Sequence, residues 1–171
     1  MTLQPGSALV PFSLPGVDGA DHGPREGRLT AVVMWCNHCP YVQAWEDRLC
    51  AIARDHPQLD VIAVAANDAE RYPQDGFAAM RERALAKDYP FAYVHDASQE
   101  VARAYGGERT PEVFLFDESG TLRYHGAIDD SHDPAGVTRQ HLRDAVAALA
   151  RGEAPEVATT PPVGCSIKWR V

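Results

Sequence analysis

VVMWCNHCPYV (residues 32–42) is the stretch on which the reading of this chain turns. Its left half belongs to the apolar, β-branched run LTAVVMW (29–35), which suits a strand covered on both faces. After Cys39 the period changes. Val42, Trp45, Leu49 and Ile52 stand 3, 4 and 3 residues apart, one face of a helix. Pro40 fits the first helical turn, where its missing N–H removes no helix bond, and Pro57 stops the helix. Cys36 and Cys39 therefore sit where a buried strand hands over to a helix.

That placement has chemical meaning. A helix start carries unpaired N–H groups and the positive end of the helix dipole, and both stabilise a thiolate. The spacing puts Cys36 at the N-cap, facing solvent, with Cys39 about a turn inside. Cys36 is then expected to ionise more readily than a free cysteine, with His38 in the same turn. Cys39 can attack a mixed disulfide formed at Cys36 and release the product, which is thiol–disulfide exchange. A zinc reading needs four ligands, and the chain has no second C-x-x-C and no H-x-x-x-H. Cys36, Cys39, His38 and distant Cys165 could make such a site only if the fold gathered them.

Outward from this centre, LDVIAVAAN (59–67) reads as a second buried strand. Residues 77–88 read as a helix with Phe77, Met80 and Ala84 inward. FAYVHD (91–96) is a short strand. Asp96 then caps a helix through residue 105, with Gln99 completing a capping box. PEVFLFDESGTLRYHG (111–126) is a hairpin turning at DESG. Thr138 caps a last helix that ends at Gly152. The first 28 residues are loops plus a short hairpin turning at VDG. Alternating strands and helices predict an α/β fold, a central mixed sheet with helices on both faces. Residues 1–152 form the domain, and 153–171 an extended tail that packs on it.

The whole chain narrows the function. Its 171 residues suffice for one well-filled core, and its formal charge of −8 argues against nucleic acid or an anionic membrane as partner. The start has no basic segment ahead of an apolar one, so no secretory signal is read there, and the expected location is the cytoplasm. Four cysteines in a chain this long are too few for a disulfide framework.

Thr110-Pro111 is the second signal, an X-Pro bond entering a strand and a candidate cis peptide. With MWCNHC and RTPEVFLFD in this order, the chain resembles the thioredoxin-like superfamily. GSALVPFSLPGVDG looks like the start of the redoxin branch, which includes the alkyl hydroperoxide reductase/thiol-specific antioxidant (AhpC/TSA) proteins. ANDAERYPQD, AYGGERTPEVFLFD and the ending GCSIKW add a likeness to small bacterial thioredoxin-like proteins.

The resemblance implies that Pro111 is cis and packs against the redox pair, and that the Thr110 backbone pairs with an incoming substrate chain. It implies Cys36 as nucleophile and Cys39 as resolving thiol, with Trp35, Asn37, His38, Thr110 and Pro111 at the substrate site. No cofactor is called for. The implied partners are a disulfide-containing protein or a small thiol or disulfide, and a reductant whose identity the sequence does not give. His38 matches the histidine of the oxidant DsbA, whose motif is C-P-H-C, but Asn37 stands in place of that proline.

Two departures are visible. The peroxiredoxin pattern P-x-x-x-[ST]-x-x-C would place its proline and its hydroxyl at Leu29 and Val33, so that pattern is absent. The buried aspartate that thioredoxin carries in its central strand is also missing. Glu46 could replace it from the helix, or could simply be a solvated helix-face residue.

Among the rest, Cys50 falls on the inward helix face and reads as core. Asn67, Asp68, Asp129 and Asp130 follow strands and suit loop capping, or could tune the thiols. The other histidines show no ligand spacing. Cys165 keeps two readings: a thiol packed on the surface, or a third redox partner or lid carried back over the pair by the tail. The functional expectation is a thiol–disulfide oxidoreductase. A thiol peroxidase is the alternative, and a metal-binding or redox-sensing protein using Cys36, Cys39 and Cys165 is the third.

Overall fold

The computed structural model describes residues 1–171. A short hairpin, β1 (Leu14–Pro15) and β2 (Asp21–His22), precedes the first core strand, β3 (Leu29–Trp35). Then follow α1 (Pro40–Asp55), β4 (Leu59–Ala65), α2 (Phe77–Ala86), β5 (Ala92–His95) and α3 (Glu100–Tyr105). The chain continues through β6 (Arg109–Thr110), β7 (Glu112–Phe116), β8 (Leu122–Gly126), α4 (His141–Ala150) and β9 (Cys165–Ser166).

The central sheet has five strands in the order β5-β4-β3-β7-β8. β3, β4 and β5 run parallel, while β7 and β8 are antiparallel to their neighbours, so the sheet is mixed as expected. β3 lies in the middle and all seven of its residues are buried, as its continuous apolar run requires. Successive side chains of a strand point to opposite faces. Ala31, Val33 and Trp35 join the layer built on α1 and α4, with Val42, Trp45, Leu49, Leu142 and Val146. Val32 and Met34 join the opposite layer, where Tyr105 of α3 and Ile167 of the tail pack. The fold is the thioredoxin-like α/β fold.

Four local expectations need correction. The helix after the C-x-x-C begins at Pro40, so its N-cap is Cys39 rather than Cys36. A residue before proline is driven from the helical region, and Cys39 is extended at φ −71°, ψ 125°. α3 starts only at Glu100, because Gln99 takes a left-handed conformation and no capping box forms. Its side chain instead donates to Ala66 O and Lys168 O and accepts from Arg170 N, which ties the tail to the sheet. α4 starts at His141, since Thr138 is spent on Asp130. Phe77 at the head of α2 is exposed, while Met80 is fully buried.

Candidate functional site

β3 ends at Trp35 and delivers Cys36 to the carboxyl edge of the sheet, where α1 begins. Both cysteines are free thiols, and both are buried, Cys36 to 1 % exposure and Cys39 to 0 %. The expected solvent-facing Cys36 is thus corrected: the tail and the Thr110-Pro111 turn cover the pair. The Thr110-Pro111 bond is cis, as expected. Cys36 Sγ lies 3.4 Å from Thr110 Oγ1, and Cys39 Sγ lies 3.5 Å from Thr110 O. The turn that follows the third helix therefore touches both sulfurs.

Both thiols sit against Thr110 and their titrations are linked, so that one proton is easier to remove than the other. Cys39 is drawn down to about 4: Cys36 donates to it, and after the opposing effect of burial the Cys165 thiol and the N–H groups of Val42 and Cys165 add their support. Cys36 is held above the ordinary thiol range, first by that same bond with Cys39, then by burial and by the nearby Asp75 charge, against a lowering bond from Thr110. The contact between the two thiols, more than the helix start, sets them apart. Pro40 puts the N-cap at Cys39, whose side chain makes no cap bond.

Asp75 is the residue that sequence reasoning missed. It lies in the turn before α2 and is 1 % exposed. Its Oδ1 accepts the Asn37 N–H at 2.8 Å, its Oδ2 accepts Asn67 Nδ2 at 2.8 Å, and His38 Nδ1 pairs with Oδ2. A carboxylate thus sits beside Cys36 after all, brought from the loop after β4 rather than from the central strand. RYPQDG reads as a polar surface loop, and nothing local in it signals burial.

The remaining candidates sort clearly. Asn37 is buried and fully engaged: Nδ2 donates to Gln74 O, Oδ1 accepts from Tyr93 OH, and the backbone carbonyl accepts from Gln43. These bonds fix the turn, and Asn37 also lines the groove beside His38. Trp35 is fully buried with its indole N–H donated to Tyr89 OH, so it supports the site from inside the core. His38 keeps 28 % side-chain exposure and stacks flat on Tyr72 at 5.9 Å. It opens onto a groove of about 390 Å³ lined by Gln43, Gln74, Glu82 and Arg83.

Glu46 is not solvated. It is buried and held by Arg83 through two bonds of 2.9 and 2.7 Å, with Tyr89 OH and Lys87 also on it. Cys50 is core, and burial pushes its thiol up to about 11. Asp129 receives Trp45 Nε1 and Arg48, a loop-anchoring role. His125 is buried against Glu112, whose other oxygen accepts the N–H groups of Glu108 and Arg109 and so braces the strand that carries Thr110.

Cys165 is the candidate that the fold brings in from farthest away. β9 pairs antiparallel with β6, Cys165 opposite Thr110 and Ser166 opposite Arg109. It packs against the core layer that holds Cys36 and Cys39, and its thiol and that of Cys39 influence each other's ionisation. A metal grouping exists as well, with different members from those the sequence offered. Cys36, His38 and Asp75 each bring one ligand atom within 4.8 Å of the others and could hold a cation. Asp75 already serves two N–H donors there.

Comparison with known proteins gives the family and the fold. The model of the AhpC/TSA family matches residues 5–125. An uncharacterized conserved protein of Geobacillus kaustophilus is 36% identical, with 97% of this chain and 92% of that one covered at a TM-score of 0.91. A hypothetical protein of Sinorhizobium meliloti 1021 is 33% identical, with 100% and 97% covered at a TM-score of 0.93. A secreted Mycobacterium tuberculosis disulfide oxidoreductase homologous to E. coli DsbE shares the fold at 16% identity, with 82% and 95% covered and a TM-score of 0.61. No curated protein sequence matches.

Proposed function

Because the chain belongs to the AhpC/TSA family and has the thioredoxin-like fold, we propose that it is a thiol–disulfide oxidoreductase whose redox pair is Cys36 and Cys39. The observation that carries this reading is the pair of buried free thiols between strand and helix, with both sulfurs against Thr110. A shared fold with a disulfide oxidoreductase is in keeping with it.

Cys36 attacks one sulfur of a substrate disulfide. As its S–S bond forms, its proton passes to the neighbouring Cys39. The first substrate sulfur leaves as a thiolate, and His38, the half-buried group beside Cys36, stands where it can supply a proton. Cys39 then attacks Cys36, the bond from Cys36 to the substrate breaks, the Cys36–Cys39 disulfide forms, and the second substrate sulfur leaves as a thiol with the proton that Cys39 gives up. The N–H groups at Cys39 favour the thiolate that this second step needs. Asp75 fixes the turn through Asn37 and orients His38, making it a positioning residue.

A peroxidase has less support. Position 33, where the peroxiredoxin pattern needs a hydroxyl, is a fully buried valine in β3. The test is reduction of insulin disulfides and of oxidised glutathione by the purified protein with a dithiol reductant. Cys36→Ser is expected to abolish both activities, and unchanged rates in that variant would overturn the reading.

A further inference from the structure

The edge at which a substrate chain would be expected to add, the backbone of Thr110, is already occupied by the protein's own tail. The tail is not loosely draped there. Before β9, Thr160 N donates to His125 O, and the Thr160 hydroxyl accepts from Ala127 N. After β9, Ile167 N donates to Glu108 O, the Ile167 side chain is buried, and Lys168 N donates to Asn67 Oδ1. Arg103 lies 4.4 Å over the Trp169 ring. Gly164 makes the approach possible, since a Cβ there would stand 2.1 Å from Thr110 O. The tail is therefore a strap, fixed on both sides of one cysteine.

That cysteine is placed for exchange. Its backbone pairs with Thr110, whose carbonyl oxygen lies 3.5 Å from Cys39 Sγ, and it is the one thiol of the three that is not buried. We propose that Cys165 is a third redox thiol, which attacks Cys39 in the Cys36–Cys39 disulfide and carries that disulfide to the surface as a Cys39–Cys165 bond, where an external dithiol reduces it. The proposal rests on Cys36 and Cys39 being the redox pair.

The step balances without an outside oxidant. The Cys165 thiol gives up its proton, a Cys39–Cys165 bond forms, the Cys36–Cys39 bond breaks, and Cys36 leaves as a thiolate that takes up a proton. Thr110 Oγ1 is in place to support the departing sulfur. The external dithiol then becomes a disulfide, while Cys39 and Cys165 return to thiols. The electrostatics make the step conditional. In the reduced protein burial, and then the bond and charge of Cys39, hold the Cys165 thiol up at about 11, against the cations of Lys168 and Arg109. Once Cys39 is in a disulfide its charge is gone and the two cations remain.

The test uses the full-length protein, reduced and then mixed with one equivalent of oxidised glutathione, quenched in acid with an alkylating agent and mapped without reduction. The expected result is one substrate disulfide consumed per chain and a Cys39–Cys165 linked peptide, present in wild type and lost in both Cys165→Ser and Cys165→Ala. These two variants also slow recovery of the reduced enzyme by an external dithiol. Consumption of substrate with a Cys36–Cys39 peptide alone, at every time point, overturns the relay while leaving the redox pair standing. Absence of substrate consumption in wild type overturns the redox pair itself.

Discussion

The backbone N–H of Asn37 donates to Oδ1 of Asp75 at 2.8 Å, joining the middle of the C-x-x-C turn to the segment just before α2. This bond lets a residue from a distant loop set both the shape and the charge of the pair. Asp75→Asn keeps the size and an accepting oxygen but removes the charge that helps hold Cys36 protonated. The Cys36 thiol is expected to titrate at lower pH than in wild type, while disulfide reduction falls by about 10²-fold through loss of the oriented His38. Iodoacetamide labelling of Cys36 across pH, set beside turnover, checks both. A labelling curve that does not move would show that Asp75 acts on shape alone.

The pair itself has a pH signature. A lowered thiol keeps its thiolate on the acid side, and Cys39 is drawn down to about 4. Ultraviolet thiolate absorbance of the reduced protein is therefore expected to persist well below the ordinary thiol value of about 8.5. It is expected to vanish from that range in Cys39→Ser. Loss of all thiolate absorbance by neutral pH in wild type would contradict the linked titration of the pair.

Gly164→Ala tests the strap. The added methyl meets the Thr110 carbonyl, a backbone atom that has no rotamer through which to move aside. Overpacking of this kind costs about 1–3 kcal/mol. The tail is expected to lift, so that trypsin cuts sooner at Lys168 and Arg170 and Cys165 alkylates faster. Cleavage at the wild-type rate would mean that the ladder accommodates a side chain.

Glu46 and Arg83 give a prediction about stability. Arg83→Met leaves the Glu46 carboxylate buried without its two-bonded partner and is expected to cost about 3 kcal/mol in urea unfolding. Adding Glu46→Leu to that variant removes the stranded charge and is expected to recover most of the loss. A double variant no better than the single one would place the cost in packing.

The parts of this structure legible in the sequence are those fixed by local pattern. The apolar run 29–35 is β3 residue for residue, the 3-4-3 spacing gives the buried face of α1, and Thr110-Pro111 is cis. Spacing alone misplaces the N-cap at Cys36; Pro40 is the local signal that puts it at Cys39. Other features depend on groups far away in the chain. Asp75 is buried only because Asn37, His38 and Asn67 converge on it. Gln99 abandons a capping box because the tail offers its side chain three backbone partners. Which of its two readings Cys165 fulfils depends on β6, a strand that the sequence does not announce.

The strap is held largely through main-chain groups: Ile167 N on Glu108 O, Asp68 N on Lys168 O, and Arg170 N on Gln99 Oε1. Bonds of this kind are indifferent to side-chain identity. Val163 and Ser166 are exposed, so they and Lys168 can be replaced over evolutionary time without loosening the ladder. The ground around Cys165 is thus free to drift in charge and bulk while its position stays fixed, and one scaffold can be retuned to different redox companions by substitutions that leave its folding untouched.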